Sequence, residues 1–257
     1  MSENKDIVLI SPNNKNVAKL MPIFAKYPDR SFDPNSSVSD SLGFACGFSM
    51  NNKIPFISLK SSSLSKCYDV LMSQIDELNK TFIISLINDD NNDIQILNNL
   101  KNTIVCNVCN PNEIDKILDK ALSINKPFII RYPDKFVEVN ANSCEINDIG
   151  KWQLIVNNDL EKICIISNGL NVDKIKKLII ENKLNYSLIN ANYINPIDND
   201  LLDLVFKKCK KVYLYNSGLD NKIINIANIS QFKGQIKALN TEDINELFET
   251  IDKDNNA

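Results

Sequence analysis

The stretch Asp6-Ile7-Val8-Leu9-Ile10-Ser11 is an apolar run of strand length. Residues 16–26 follow it with Val17, Leu20, Met21 and Phe24 at helical spacing. This pairing of a short apolar run with an amphipathic stretch recurs along the chain. Further strands are expected at 55–59, 82–87, 104–108 and 128–131, then at 152–156, 163–167, 186–190 and 212–215. Helices are expected between them at 37–50, 62–75, 93–100, 112–122, 172–182 and 199–206, with a closing helix at 241–251 capped by Thr241. The glycines and small residues at Gly43, Ala45, Cys46 and Gly47 suit close packing of the 37–50 helix. Strands alternating with helices of this length argue for an α/β fold with two open, mostly parallel sheets flanked by helices. A polar stretch over 134–150 without a clear period separates the two halves.

Composition narrows the chemistry. The 257 residues carry 29 Lys plus Arg against 32 Asp plus Glu, a net charge of -3, so no basic footprint for nucleic acid is expected. No apolar run approaches the roughly 18 residues of a membrane helix, and no signal peptide is read at the start, so a cytoplasmic location without membrane contact is expected. Seven cysteines, an odd and scattered set, fit reduced thiols. There is no histidine, so His-based triads and His-ligated metals cannot come from this chain. Any general acid or base must be Asp, Glu, Lys, Tyr or Cys, or come from another chain.

Local motifs are weak. Cys106-Asn107-Val108-Cys109 has CxxC spacing but lies at a strand end, away from a helix N-terminus that would activate a thiol, and no further ligands complete a metal site. Neither GxGxxG nor GxxxxGK[ST] occurs. Gly169 is better explained as a turn than as a phosphate contact, and Ser61-Ser62-Ser63 as a helix cap than as a nucleophile without a base. Asp33, Asp40 and Asp69 stand near strand–helix junctions without a partner base.

Several stretches in order resemble one family. Pro28-Asp29-Arg30-Ser31-Phe32-Asp33 followed by Gly43-Phe44-Ala45-Cys46-Gly47 is similar to the "PDRFFD" turn and "FAAGLA" helix of the pyrimidine-binding domain in transketolase and 1-deoxy-D-xylulose-5-phosphate synthase. Ile54-Pro55-Phe56-Ile57, Lys66-Cys67-Tyr68-Asp69 and Arg131-Tyr132-Pro133 resemble the next strand, its "RAYDQ" helix and the closing "RYP". Gly150-Lys151, the run from Ile163 to Gly169, the run from Asn190 to Asp198 and the run from Leu239 to Ile244 resemble successive motifs of the C-terminal domain. The resemblance implies a pyrimidine-binding domain over 1–136 without its usual first helix, a linker over 137–149 and a C-terminal domain over 150–257. It further implies that thiamine diphosphate and magnesium would bind only if a partner chain supplied the diphosphate-binding domain.

Departures from the family fall where its chemistry resides. In the family a glutamate hydrogen-bonds the pyrimidine N1′ and favours the imino tautomer that deprotonates the thiazolium. Aligned onward from Phe32, that position is Val38, and Asp40 could replace it only through a change of helix register. The stacking aromatic falls at Ser63, which offers little surface. The histidine-bearing loop is replaced by Asn88-Asp89-Asp90-Asn91-Asn92, and the phosphate-binding arginine after "RYP" falls at Asp134, whose charge repels a phosphate. The "GG" after the late strand is lost near Ser217-Gly218. Ser63, Tyr68 and Asp69 remain as cofactor-side candidates and Arg131 as a substrate-side one.

Three readings follow. One is a catalytically impaired C-terminal-half protein acting as a structural or regulatory subunit, a homodimer or a hetero-oligomer with a diphosphate-domain chain, with the 37–50 and 62–75 helices as contact faces. Another is an active subunit of a split thiamine-diphosphate enzyme that uses Asp40. The last is a small-ligand module with Asn168, Gly169 and Asn192 at strand ends.

Overall fold

The computed structural model describes residues 1–12, 19–88, 93–108, 111–134, 148–158 and 162–256. The strands are β1 (Ile7–Ile10), β2 (Ser31–Phe32), β3 (Ile54–Lys60), β4 (Phe82–Asn88), β5 (Ile104–Asn107), β6 (Pro127–Pro133), β7 (Gln153–Val156), β8 (Ile163–Ser167), β9 (Ser187–Asn190), β10 (Tyr193–Asn195), β11 (Lys211–Tyr215) and β12 (Gln235–Leu239). The helices are α1 (Met21–Lys26), α2 (Val38–Met50), α3 (Tyr68–Val70), α4 (Asp93–Leu97), α5 (Pro111–Leu122), α6 (Asn171–Glu181), α7 (Asn199–Lys208), α8 (Asp220–Ile229) and α9 (Ile244–Asn256). The chain divides into two units, 1–149 with Ile194–Pro196, and 150–193 with 197–257.

The first unit is built on a seven-stranded sheet in the order β10-β5-β6-β4-β3-β1-β2 among the described residues. The pairings β1–β2, β1–β3, β3–β4, β4–β6 and β5–β6 are all parallel. Parallel strands need cover on both faces, which accounts for the unbroken burial of Phe82 to Ile87 and Phe128 to Arg131. The second unit holds β12-β11-β8-β9-β7, parallel except for β7, which pairs antiparallel with β9. Its core joins Ile163, Ile165 and Leu188 of the sheet to Val172, Ile175 and Ile179 of α6 and to Leu247 and Ile251 of α9. The expected α/β class with two mostly parallel sheets is what the chain forms. No helix of the described residues is long and apolar enough to cross a membrane.

Several details differ from the sequence reading. The expected 62–75 helix is a succession of 3-10 turns (Ser61–Cys67), the single α turn of α3 and a π turn (Leu71–Ile75). Helix α9 begins at Ile244, because the Asp243 carboxylate takes the Asn245 N–H at 2.9 Å while the Thr241 hydroxyl reaches only the Asp243 N–H at 3.2 Å. Of the small residues in α2, Ala45 and Cys46 are buried against the sheet, whereas a Cβ at Gly43 or Gly47 would meet nothing within 4 Å. The expected first helix over 16–26 is formed only as α1, Met21–Lys26, the first three residues of that span lying outside the described residues, as does most of the 137–149 linker. Strands β2, β10 and β12 and helix α8 were not foreseen. β10 completes the β5 edge of the first sheet, where the Asn195 side chain donates to the Thr103 carbonyl at 2.6 Å.

Asp76 anchors the turn that leads into β5. Its carboxylate accepts from the N–H groups of Lys101, Asn102 and Thr103 at 2.9, 3.0 and 2.8 Å and from the Thr103 hydroxyl at 2.7 Å. Burial opposes its charge, but these hydrogen bonds outweigh burial and hold the carboxyl below its ordinary range. A carboxyl lowered on folding stabilises the fold above the unfolded value of about 3.9 and loses that contribution as pH falls through the folded one. Asp76→Asn is therefore expected to be less stable than the parent at neutral pH and to lose less stability between about pH 5 and pH 2, as measured by urea unfolding across that range.

Candidate functional site

The N-terminal turn of α2 carries the position that matters most to the family resemblance. Ser37 caps the helix: its hydroxyl accepts the Asp40 N–H at 3.0 Å and donates to Asp40 Oδ2 at 2.7 Å. The Ser41 hydroxyl donates to the Ser37 carbonyl at 2.9 Å and lies 3.1 Å from the Ser36 hydroxyl. Val38, half-buried, is the first residue of the helix, and the exposed Asp40 carboxylate is turned back onto its own cap. One turn further on, Phe44 and Phe48 meet Phe32 of β2, with ring centroids 5.1 to 5.8 Å apart in the three pairs. Phe44 stays 43% exposed and Met50 71% exposed, so beyond Asp40 the outer face of α2 is made of these two residues with Gly43 and Gly47, small and apolar.

The other candidates are spread over the first unit. The Ser63 hydroxyl donates to the Lys60 carbonyl at 2.6 Å inside the 3-10 segment. Tyr68 and Asp69 start α3 on the surface, where the Asp69 carbonyl accepts the Ser73 hydroxyl at 2.6 Å. Arg131 contrasts with its expected substrate-facing place, because it is buried among protein partners. Its Nε and Nη2 grip both oxygens of Asp93 at 2.6 and 3.0 Å, while Nη1 and Nη2 donate to the side-chain oxygens of Asn107 at 3.2 Å and Asn88 at 2.8 Å. The reason is local: β4, β5 and α4 each end or begin on an acceptor at this spot, and a planar guanidinium matches a carboxylate two bonds at a time. Tyr132 next to it is pushed up by burial, against which its 3.0 Å contact with the Ser85 hydroxyl acts, and Asp134 adds to the rise.

The remaining motifs also resolve into scaffold. Burial, with Glu113 adding to it, pushes the Cys106 thiol well up, and Cys109 lies outside the described residues, as do residues 89–92 of the altered loop. In the second unit the two motifs at Gly150-Lys151 and at the run ending in Asp198 meet. Asp198 caps α7 through the Leu201 N–H at 3.1 Å, accepts the Trp152 N–H at 3.0 Å, and pairs with Lys151, which also reaches Asp200. Asn168 ties the end of β8 to β11 by donating to the Ser217 carbonyl at 2.7 Å, Gly169 turns the chain at φ 64°, and Asn192 is buried just past β9. The sequence reading passed over Lys207, Lys208, Lys210 and Lys211, a local run of cations masked by the negative net charge.

These two units, in this order and with these topologies, define the fold of the C-terminal half of transketolase-like enzymes. A split-gene transketolase structure described as an inactive beta4 tetramer superposes with a TM-score of 0.80 at 18% identity, over 94% of this chain and 85% of that one. Transketolase from Campylobacter jejuni superposes at 0.69 with 10% identity, over 93% of this chain and 40% of that one. In sequence, the chain is 27% identical over 262 residues to 1-deoxy-D-xylulose-5-phosphate synthase of Clostridium botulinum (strain Eklund 17B / Type B), covering 94% of this chain and 42% of the synthase. The synthase of Clostridium perfringens (strain 13 / Type A) is 28% identical over 230 residues, 82% of this chain and 37% of the synthase. The chain thus spans about two fifths of the length of the curated relatives it matches, in their C-terminal part. No protein-family model matches it. The resemblance to the C-terminal half of the transketolase and 1-deoxy-D-xylulose-5-phosphate synthase family is borne out along nearly the whole chain.

Asp93→Ala leaves the Arg131 charge buried without its counter-ion and is expected to cost about 3–5 kcal/mol. The double replacement Asp93→Leu with Arg131→Met, which removes both charges, is expected to recover most of that loss. Guanidinium denaturation of the parent and both variants checks the pair.

Proposed function

We propose that this chain is a catalytically impaired relative of the transketolase and 1-deoxy-D-xylulose-5-phosphate synthase C-terminal half, acting as a structural or regulatory subunit that pairs with itself or with a related chain. The observation that carries the reading is the first turn of α2. Aligned with the family onward from Phe32, the activating glutamate would fall at Val38, and the Asp40 carboxylate is held at 2.7 Å by its own cap residue. A branched aliphatic side chain neither donates nor accepts a proton. By the same alignment the family's stacking aromatic would fall at Ser63, whose hydroxyl is turned to the Lys60 carbonyl. The residues present therefore do not fit thiamine diphosphate as an activated cofactor, and no catalytic step is derived through it. The cofactor and its magnesium enter this reading only through a partner chain that supplies a diphosphate-binding domain.

Pairing is supported by the outer face of α2. Gly43 and Gly47 leave open space beside the half-exposed Phe44, which lets a second helix approach closely and cover an apolar surface. The split-gene neighbour, described as an inactive beta4 tetramer, is an assembly of the kind assigned to this chain. Sedimentation equilibrium is expected to give a mass above that of one chain, and Phe44→Glu with Gly47→Glu to give monomers with unchanged circular dichroism. A parent protein that is monomeric at all concentrations would overturn the pairing. With a diphosphate-domain partner, thiamine diphosphate and magnesium present, no turnover is expected. Cofactor-dependent turnover that disappears in Asp40→Asn would replace this reading with that of an active subunit.

A further inference from the structure

A cavity of about 1040 Å³ in the second unit is lined by Lys207, Lys208, Lys210, Lys211 and Lys233. Its position follows from the sheet. The turn from α7 into β11 and the turn from α8 into β12 lie side by side because the two strands pair in parallel from Lys211 and Gln235 onward. The Gln235 N–H donates to the Lys210 carbonyl at 2.9 Å, and the N–H groups of Lys210 and Lys211 donate to the Lys162 carbonyl at 3.1 and 3.0 Å. The rings of Phe206 and Phe232, 5.0 Å apart, form an apolar wall. Gly234 closes the second turn where a Cβ would fall 2.3 Å from Phe232 Cζ and 2.4 Å from the Lys210 carbonyl, so the approach of the two turns depends on its missing side chain.

The charge in this cavity is only partly accounted for by the fold. Lys207 and Lys208 sit in the last turn of α7, where a cation suits the helix dipole. Lys211 is engaged by the Asp254 carbonyl and by Asn255 at 3.2 Å. Lys210 and Lys233 belong to neither helix, and among the described residues they have no ion pair. Of the two lining carboxylates, Asp254 is already taken by Lys237 at 2.5 Å and by the Tyr213 hydroxyl at 2.9 Å, which leaves Asp203. Cys209, in the same lining, has its thiol lowered by the hydrogen bond to Cys164 and, against burial, by the Lys208 charge. Several cations converging on a concave surface focus a positive potential there, in a chain whose net charge is -3.

We propose that this cavity binds a small polyphosphorylated anion, held by the ammonium groups of Lys207, Lys210 and Lys233, with its non-ionic part against the Phe206–Phe232 wall. Calorimetric titration of the full chain tests it, with inorganic tripolyphosphate and ATP as probes and adenosine as the uncharged control. Both phosphate probes are expected to saturate one site at about 50 mM salt and to weaken as salt rises, while adenosine does not bind. The surface variant Lys207→Gln/Lys210→Gln/Lys233→Gln is expected to weaken both by about tenfold or more. The equal change of charge in Lys174→Gln/Lys176→Gln/Lys177→Gln, on α6 and outside the cavity, is expected to leave binding within about twofold. Absence of saturable binding, or an equal loss in the two triple variants, would overturn the assignment. These readouts do not depend on oligomeric state or turnover, so they stand apart from the test of the subunit reading.

Discussion

Strands Phe82–Asn88 and Ile163–Ser167 are buried along almost their whole length, and a parallel strand buried on both faces must be followed by a helix that returns the chain across the sheet. The order of elements, the covering layers and the gathering of polar residues at strand ends all follow from that requirement. Asn88, Asn107 and Arg131 end up together because β4, β6 and β5 are neighbours whose C-terminal ends emerge at one edge of the sheet. The ion pair of Arg131 with Asp93 then satisfies at once the polar groups that would otherwise be stranded there.

The motifs that carry the family resemblance turn out to be scaffold joints. Asp198 caps a helix and takes the Trp152 N–H, Lys151 reaches Asp198 and Asp200, and Asn168 links two strand ends. A fold maintained through these joints can keep its architecture while the positions facing a cofactor change. The first turn of α2 is consistent with this division: Ser37 and Asp40 make a sound helix start, and Val38 adds apolar surface without adding a proton donor or acceptor. In this molecule the apolar outer face of α2 and the lysine-lined cavity are surface features left over once these joints are accounted for.

How much was legible depended on how self-contained each signal was. The apolar runs of β1, β3, β4, β6 and β8 were readable because few polar residues, such as Ser58, Ser85 and Arg131, interrupt them. The helix caps were less legible: Ser61, Ser62 and Ser63 fall inside a 3-10 segment whose N-cap position is Lys60, and Thr241 lies ahead of α9 rather than on its cap. Strand β12, Gln-Ile-Lys-Ala-Leu, was missed: as an edge strand its positions are exposed or half-buried, and its composition is that of a surface loop. The three-residue β10 has too few residues for any period, and the 61–75 segment kept helical spacing while its backbone passed through three kinds of turn. At the candidate site, the aliphatic character of Val38, which the proposed reading sets at the family's glutamate position, was visible in the sequence. The enclosure of Arg131 was not, because Asp93 is 38 residues away.

By itself, then, the sequence determined the alternation of strand and helix, the two mostly parallel sheets and the aliphatic residue at the head of α2, since each of these rests on residue type and near spacing. Only the tertiary structure decided that residues 193–195 close the first sheet, that Arg131 faces inward and that five lysines from two turns share one cavity. Those outcomes depend on which distant groups meet and how much water is left between them. That is set by strand order and packing, and neither is written in any short stretch of the chain.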